Sequence, residues 1–258
     1  MANETRTRPE TGGEWGPRLR IASEAPHKTL AERIFHQVRA DIMSGSLTPG
    51  HKLKADELKL RYGVGTSPIR EALFQLASEG LVKADGQRGF RVSPLCEAEL
   101  ADITEWRETL ECEAFRRSIE TGSLEWETAA VAALHRLKQV SMQSDLDHTA
   151  RADLWETRHR AYHFALYGAC GSPWLLRFCE LLIAQGERYR RSFLRYDRIS
   201  PAIDREHEEL LDAALARDSK RGVEILRSHI RRATEIAGAS LQNKEGSDRP
   251  RSTSAAGA

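Results

Sequence analysis

Between Gly50 and Leu73 the chain reads as a short helix, a glycine-pinched turn and a second helix that opens on Ser67-Pro68. Leu58 and Tyr62 lie four apart on the first helix, and Ile69, Leu73 and Leu76 repeat at helical spacing on the second. Ser67 can cap the free amides there, while Pro68, with φ fixed near about −65°, suits the first helical position. Thr66, Ser67 and Arg70 then lead the outward face with short or forked hydrogen-bonding groups. Such groups on the first turn of a helix reach base edges and phosphates in a major groove, so the pattern predicts a DNA-binding helix-turn-helix. Lys54, just ahead of the first helix, is a further DNA-binding candidate.

The flanking residues sharpen this expectation. The second helix stops at Glu79-Gly80, and Leu81–Ala84 and Phe90–Val92 read as short strands joined by the Gly-rich segment 85–89. A helix-turn-helix followed by a two-stranded hairpin is a winged helix, here with Gln87, Arg88 and Gly89 at the wing tip. Upstream, Leu30, Ile34, Val38 and Ile42 repeat every four residues, predicting a supporting helix over about Thr29–Met43.

Pro49-Gly50-His51-Lys52-Leu53, Val64 to Leu73, Gly80-Leu81-Val82 and Arg88 to Val92 together resemble the N-terminal domain of the GntR family of bacterial transcription regulators. The resemblance covers roughly residues 28–93. It implies operator binding through Arg70, but Thr66 stands where such proteins often carry an Arg, so base preference does not carry over.

Charge is distributed accordingly. Net charge is +1 over 258 residues, yet residues 18–93 hold 13 Lys/Arg against 8 Asp/Glu and residues 94–238 hold 21 against 25. A basic module joined to a mildly acidic one suits one part that meets phosphate and one that does not. Cys96, Cys112, Cys170 and Cys179 have no metal-type spacing and read as reduced thiols. No apolar run approaches a membrane span of about 18 residues, and the polar start has no secretory hydrophobic core. A cytoplasmic, nucleoid-associated bacterial protein is expected. The divisions predicted are a disordered arm 1–26, a winged helix 27–93, a helical domain 94–242 and a disordered tail 243–258.

From Glu97 onward the patterning is helical throughout. Six helices are predicted, over about Glu97–Glu120, Glu125–Gln143, Ala152–Ala169, Pro173–Tyr196, Pro201–Arg217 and Lys220–Leu241. Inward stripes run through Leu100, Ile103, Leu110 and Ala114 on the first, Val131, Leu134 and Leu137 on the second, and Leu175, Cys179, Leu182, Tyr189 and Phe193 on the fourth. Connections of a few residues imply a bundle with antiparallel neighbours. The fold class expected is mainly α, a winged helix-turn-helix followed by an all-helical six-helix bundle.

Histidines form the second constellation. His159 and His163 lie four apart on the third bundle helix; His207 and His229 fall on apolar stripes of the fifth and sixth. Each alone reads as a core imidazole satisfied by a carbonyl. Four in one core read better as a divalent metal cage, because several unpaired imidazoles would be costly to desolvate.

Arg107 with Leu110-Glu111, Tyr162-His163 with Leu166, Glu206-His207 and His229-Ile230 resemble the all-helical FCD effector domain of the FadR branch of these regulators. Many such domains bind a metal through an Asp and three His. His163, His207 and His229 fall on the three histidine positions, and His159 stands in place of the Asp. A four-His site favours Zn²⁺ or Ni²⁺ over Mg²⁺ or Ca²⁺.

Arg107 sits on the inward stripe of its helix. Two readings stand: an ion pair with Glu111 one turn on, or an anchor for an effector carboxylate, which a guanidinium matches bidentately. Tyr189 and Arg188 are further effector-binding candidates, while Arg190, Arg191 and Arg195 read as a solvated face. The runs Gly63 to Pro68, Gln87 to Phe90 and Glu187 to Arg190 are similar to a sub-branch that includes regulators of glutarate and related short-diacid metabolism.

The expectation is a homodimeric repressor that binds double-stranded operator DNA under control of a small carboxylate effector held near a divalent transition metal. It is not expected to be an enzyme or a membrane protein. Two other readings were weighed: a bundle metallohydrolase with an appended winged helix, and an architectural DNA-binding protein with an inert bundle.

Overall fold

The computed structural model describes residues 29–86, 89–142, 146–193, 196 and 200–247. The N-terminal part consists of α1 (Leu30–Met43), β1 (Lys52–Leu53), α2 (Ala55–Tyr62), α3 (Thr66–Ser78), β2 (Val82–Ala84) and β3 (Phe90–Val92). Thr29 caps α1 by accepting from the Glu32 amide at 3.1 Å. Ile34, Phe35, Val38 and Ile42 turn one face of α1 onto Ile69, Leu73 and Leu76 of α3. Between α2 and α3, Gly63 adopts φ +66°, a left-handed conformation that ends α2 without Cβ strain. Arg61 and the Tyr62 hydroxyl both donate to Asp41, each at no more than 2.8 Å, fastening α2 to α1.

Two details differ from expectation. Helix α3 begins at Thr66 with Gly65 as its cap, so Ser67 and Pro68 lie inside the first turn and Ser67 makes no cap bond. Proline is tolerated there because the first-turn amides have no intrahelical acceptor in any case. The wing is also not a two-stranded hairpin. Lys52-Leu53 adds a third strand, giving the antiparallel order β1-β3-β2 with Leu53 opposite Phe90 and Val82 opposite Val92. A two-residue strand carries too little alternation to read from sequence.

The bundle follows as α4 (Glu97–Thr121), α5 (Leu124–Lys138) with a 3₁₀ turn at Gln139–Met142, α6 (His148–Tyr167), α7 (Pro173–Phe193), α8 (Pro201–Leu215) and α9 (Ser219–Ser247). Asp147, Ser123 and Ser200 cap α6, α5 and α8 with side-chain acceptors, Ser200 ahead of Pro201 as its sequence predicts. α4 packs on α9 and α7, α5 on α6, and α8 on α9. Phe115, Ile119, Tyr162, Leu166, Leu210, Leu226 and Ile230 are fully buried at their shared core. Helix α9 continues six residues past Leu241, through part of the segment read as a disordered tail; residues 1–28 and 248–258 lie outside the described residues.

Two stripes are shifted from expectation. On α5 Val131 is exposed, and the inward face runs through Trp126, Ala130, Ala133, Leu134 and Leu137. On α7 the interior face runs Leu176, Cys179, Ile183, Gly186 and Arg190, following +3 and +4 steps. Arg190 therefore points inward rather than into solvent. Among the described residues no helix is long and apolar enough to cross a membrane.

Candidate functional site

On the N-terminal part, Thr66, Ser67 and Arg70 are exposed on the first turn of α3, the face that the helix-turn-helix presents outward. Arg70 has no ion pair or hydrogen bond among the described residues and is free to meet a phosphate or base edge. Lys54 is exposed but held by Glu57, its Nζ donating at 2.7 Å. Gly89 closes the wing at φ +96°, and its carbonyl accepts from the Asp85 amide at 2.8 Å. Gln87 and Arg88 lie outside the described residues.

The bundle brings the four predicted histidines together. α6 supplies His159 and His163, α8 His207 and α9 His229, and one ring nitrogen from each lies within 4.8 Å of all the others. The Nε2 atoms of His159 and His163 approach to 3.0 Å. His163 is oriented through Nδ1 by the Tyr167 hydroxyl at 3.1 Å, and Tyr167 donates onward to Glu111 at 2.8 Å. His229 is oriented through Nδ1 by Glu206 at 2.8 Å, which leaves its Nε2 toward the cluster. A partner on the far nitrogen, which His163 and His229 have, is the arrangement that fixes a metal-ligating imidazole.

A test of whether a metal fits is what the remaining nitrogens do. Among the described residues, both ring nitrogens of His207 and Nδ1 of His159 are buried without a hydrogen-bond partner. Burial, reinforced by neighbouring histidines, holds His159, His163 and His207 well below the ordinary imidazole value, so they are neutral and their lone pairs are available. Unpartnered buried nitrogens cost free energy unless something accepts their lone pairs. The donor set therefore forms a group that can hold a metal ion, with the imidazole chemistry that suits Zn, Cu or Ni.

The cluster opens onto a cavity lined by Arg107, Trp155, His159, Arg190, Phe193, Ile203, Glu206 and His229. Trp155 stacks on His159 with centroids 4.3 Å apart. Arg107 makes the expected ion pair with Glu111, its Nε donating at 2.6 Å, and it also lines the cavity.

Arg190 is the cavity-lining residue that the sequence reading placed in solvent. Its Nε and Nη2 clasp Glu156 at 3.1 and 2.9 Å, and it also borders the cavity. Burial opposes its charge, but the Glu156 carboxylate outweighs that and keeps it cationic. The +3/+4 spacing from Cys179 through Ile183 and Gly186 is the signal that could have found it. Arg191, also expected in solvent, instead pairs with Glu187 and Asp153 at 2.7 and 2.6 Å. Arg195 lies outside the described residues. Glu156→Ala would strand the Arg190 charge in the core; a loss of about 3–5 kcal/mol is expected, read by chemical denaturation.

Arg188 and Tyr189 go elsewhere. Arg188 donates from Nη2 to the carbonyls of Ser93 and Pro94 at 2.8 and 3.1 Å and from Nη1 to Gln185 at 2.7 Å. The Tyr189 hydroxyl donates to Glu99 at 2.7 Å. Arg188 thus reaches the segment ahead of α4 and Tyr189 the first turn of α4, and neither lines the cavity.

A winged helix-turn-helix in front of a helical bundle with a cavity beside a buried histidine cluster is the architecture of a DNA-binding transcription regulator. Residues 30–92 match the bacterial regulatory proteins of the gntR family, and residues 102–232 match the FCD domain. The chain belongs to the GntR family, in the branch with a C-terminal FCD effector domain. It is 39% identical over 81% of its length to the HTH-type transcriptional regulator BphR of Paraburkholderia xenovorans, covering 85% of that protein. It is 36% identical over 76% of its length to the HTH-type transcriptional repressor GlaR of Escherichia coli, covering 90% of it. In fold it matches E. coli McbR/YncC with a TM-score of 0.67 at 20% identity, over 83% of this chain and 99% of that one. These relatives are regulators of transcription, and the metallohydrolase reading finds no support among them.

Proposed function

We propose that this regulator is a repressor whose operator affinity is set by a small carboxylate bound beside a divalent transition metal. The carrying observation is one cavity bounded by the four-histidine cluster, with its unpartnered nitrogens, and by Arg107 and Arg190. His163, His207 and His229 would hold the ion, with His159 as fourth ligand; Zn²⁺ or Ni²⁺ suits an all-imidazole set. When bound, the metal supplies a cationic centre for a carboxylate. The chain's own groups do the rest. Arg107 and Arg190 each keep part of a guanidinium for an anion, while Trp155, Phe193 and Ile203 wall the cavity with apolar surface and exclude water. Two cationic side chains beside one metal favour short dicarboxylates over neutral ligands.

In this reading residues 27–93 bind operator DNA and residues 94–242 bind metal and effector, between the flanking segments 1–26 and 243–258. Thr66, Ser67, Arg70 and Lys54 contact DNA, with Gln87, Arg88 and Gly89 on the wing. The chain works in the bacterial cytoplasm at the nucleoid and catalyses no reaction. Thermal-shift screening against mono- and dicarboxylates, with and without chelator, tests the proposal. Dicarboxylates should raise the melting temperature only in metal-loaded protein. Equal shifts after chelation would remove the metal from the account.

A two-fold operator needs two reading heads at fixed spacing. The protein is expected to be a homodimer protecting a pseudo-palindrome. Light scattering at micromolar concentration checks this; a monomer that still binds its site tightly would contradict it.

A further inference from the structure

A single turn of α7 packs against the cavity-lining Arg107 on one face and meets the ends of α3 and β3 on another. On the face toward Arg107 is Gly186. A Cβ built there would lie 2.9 Å from Arg107 Nη1 and 3.5 Å from its Cζ, so the guanidinium rests directly against the backbone of α7. Any larger residue would displace it. On the adjoining face, Gln185 donates from Nε2 to the Glu79 carbonyl at the end of α3, and its amide packs against Gly80. The oxygen of the same amide accepts from Arg188, whose other nitrogen donates to Ser93 and Pro94 just beyond β3. Gln185, Gly186 and Arg188 thus join the cavity arginine to the C-terminal end of the recognition helix and to the end of the wing. Ser93 closes the circuit, its hydroxyl donating to the Gly80 carbonyl at 2.6 Å and its amide to Leu81 at 3.0 Å.

We infer that the turn Gln185–Arg188 of α7 is the coupling element of this regulator: Gly186 reports the position of the Arg107 guanidinium, and Gln185 and Arg188 pass it to the ends of α3 and β3. The inference rests on the proposed reading of the cavity. A cation among the histidines repels the Arg107 guanidinium, and an anion bound beside it draws the guanidinium back; either changes what α7 packs against at Gly186, and the polar side chains one residue before and two after move with it. These contacts are directional hydrogen bonds to backbone carbonyls, so a shift of a few tenths of an ångström reaches α3 and the wing rather than dissipating in loose apolar packing. Gln185, Gly186 and Arg188 are positioning residues.

Hydrogen–deuterium exchange of the full chain tests this in two arms. The first uses no ligand. Gly186→Ala meets the far end of a flexible side chain, so it should displace Arg107 and leave the protein folded. It should alter exchange of the Gly80, Leu81 and Ser93 amides about threefold or more, and Gln185→Ala combined with it should abolish that change. Altered exchange confined to the bundle, or a change at Gly80–Leu81 that persists in the double variant, would overturn the coupling. The second arm adds Zn²⁺ alone to the parent protein and to Gln185→Ala. Protection around the four histidines should appear in both, and should extend to Gly80–Leu81 only in the parent. Equal extension in both, or none in the parent, would also overturn the coupling. Absence of protection around the histidines would instead overturn the metal reading, and the first arm would still decide the inference.

Discussion

His207→Ala is expected to yield a folded protein that binds operator DNA but has lost its metal and its response to effector. Among the described residues neither ring nitrogen of His207 has a hydrogen-bond partner, so the substitution deletes no side-chain hydrogen bond there. Its structural cost is the imidazole-sized gap, about 1–3 kcal/mol. Its cost to a metal is far larger, because loss of even an outer partner of a ligand lowers affinity by about 10–100-fold, and loss of a ligand exceeds that. The parent protein should carry close to one transition-metal ion per chain by elemental analysis, and the variant close to none. Metal content and effector response unchanged in the variant would make the cluster a polar core without a ligand.

Arg70→Ala is the second large effect. The side chain is exposed near the start of the recognition helix, with no partner among the described residues, so removing it leaves the fold intact. A forked donor at this position carries about 1–3 kcal/mol of base or phosphate recognition. In a two-fold symmetric site the loss counts twice, about 2–6 kcal/mol, which is roughly 30-fold to more than 10⁴-fold in affinity. Gel-shift titration against the operator at fixed salt measures it. Lys54→Ala should cost less, since Glu57 already competes for that ammonium group. An Arg70→Ala protein that binds like the parent would displace α3 from its assigned groove.

Why some of this was readable and some was not follows from how each feature is encoded. The helix-turn-helix is written in local chemistry: Gly63 for a left-handed turn, Ile69, Leu73 and Leu76 for one buried face, and polar groups left over for the other. The histidine cluster was legible because His159 and His163 share a helix face and His207 and His229 each interrupt an apolar stripe. The fourth bundle helix was misread. Its mixture of Leu175, Leu176, Leu181, Leu182 and Ile183 supports two adjacent stripes, and choosing the one through Leu182 turned Tyr189 to the cavity and Arg190 to solvent. Charge could not break the tie in sequence, because a buried arginine and a surface arginine differ only in whether a carboxylate such as Glu156 waits opposite.

By itself, then, the sequence determined the order of the helices, the outward face of α3, and which imidazoles come together in the bundle. Each of these depends on periodicity and on residues close in the chain, where 3.6 residues per turn converts spacing into direction. What joins the two parts was decided only in the tertiary structure. Gln185 meets Glu79 across 106 residues, Arg188 meets Ser93 across 95, and Arg190 meets Glu156 across 34. No local pattern encodes a partner that far away. Such contacts exist because packing α7 against α4 and the winged helix buries polar groups that must then find acceptors, and the nearest are backbone carbonyls and acids contributed by other elements.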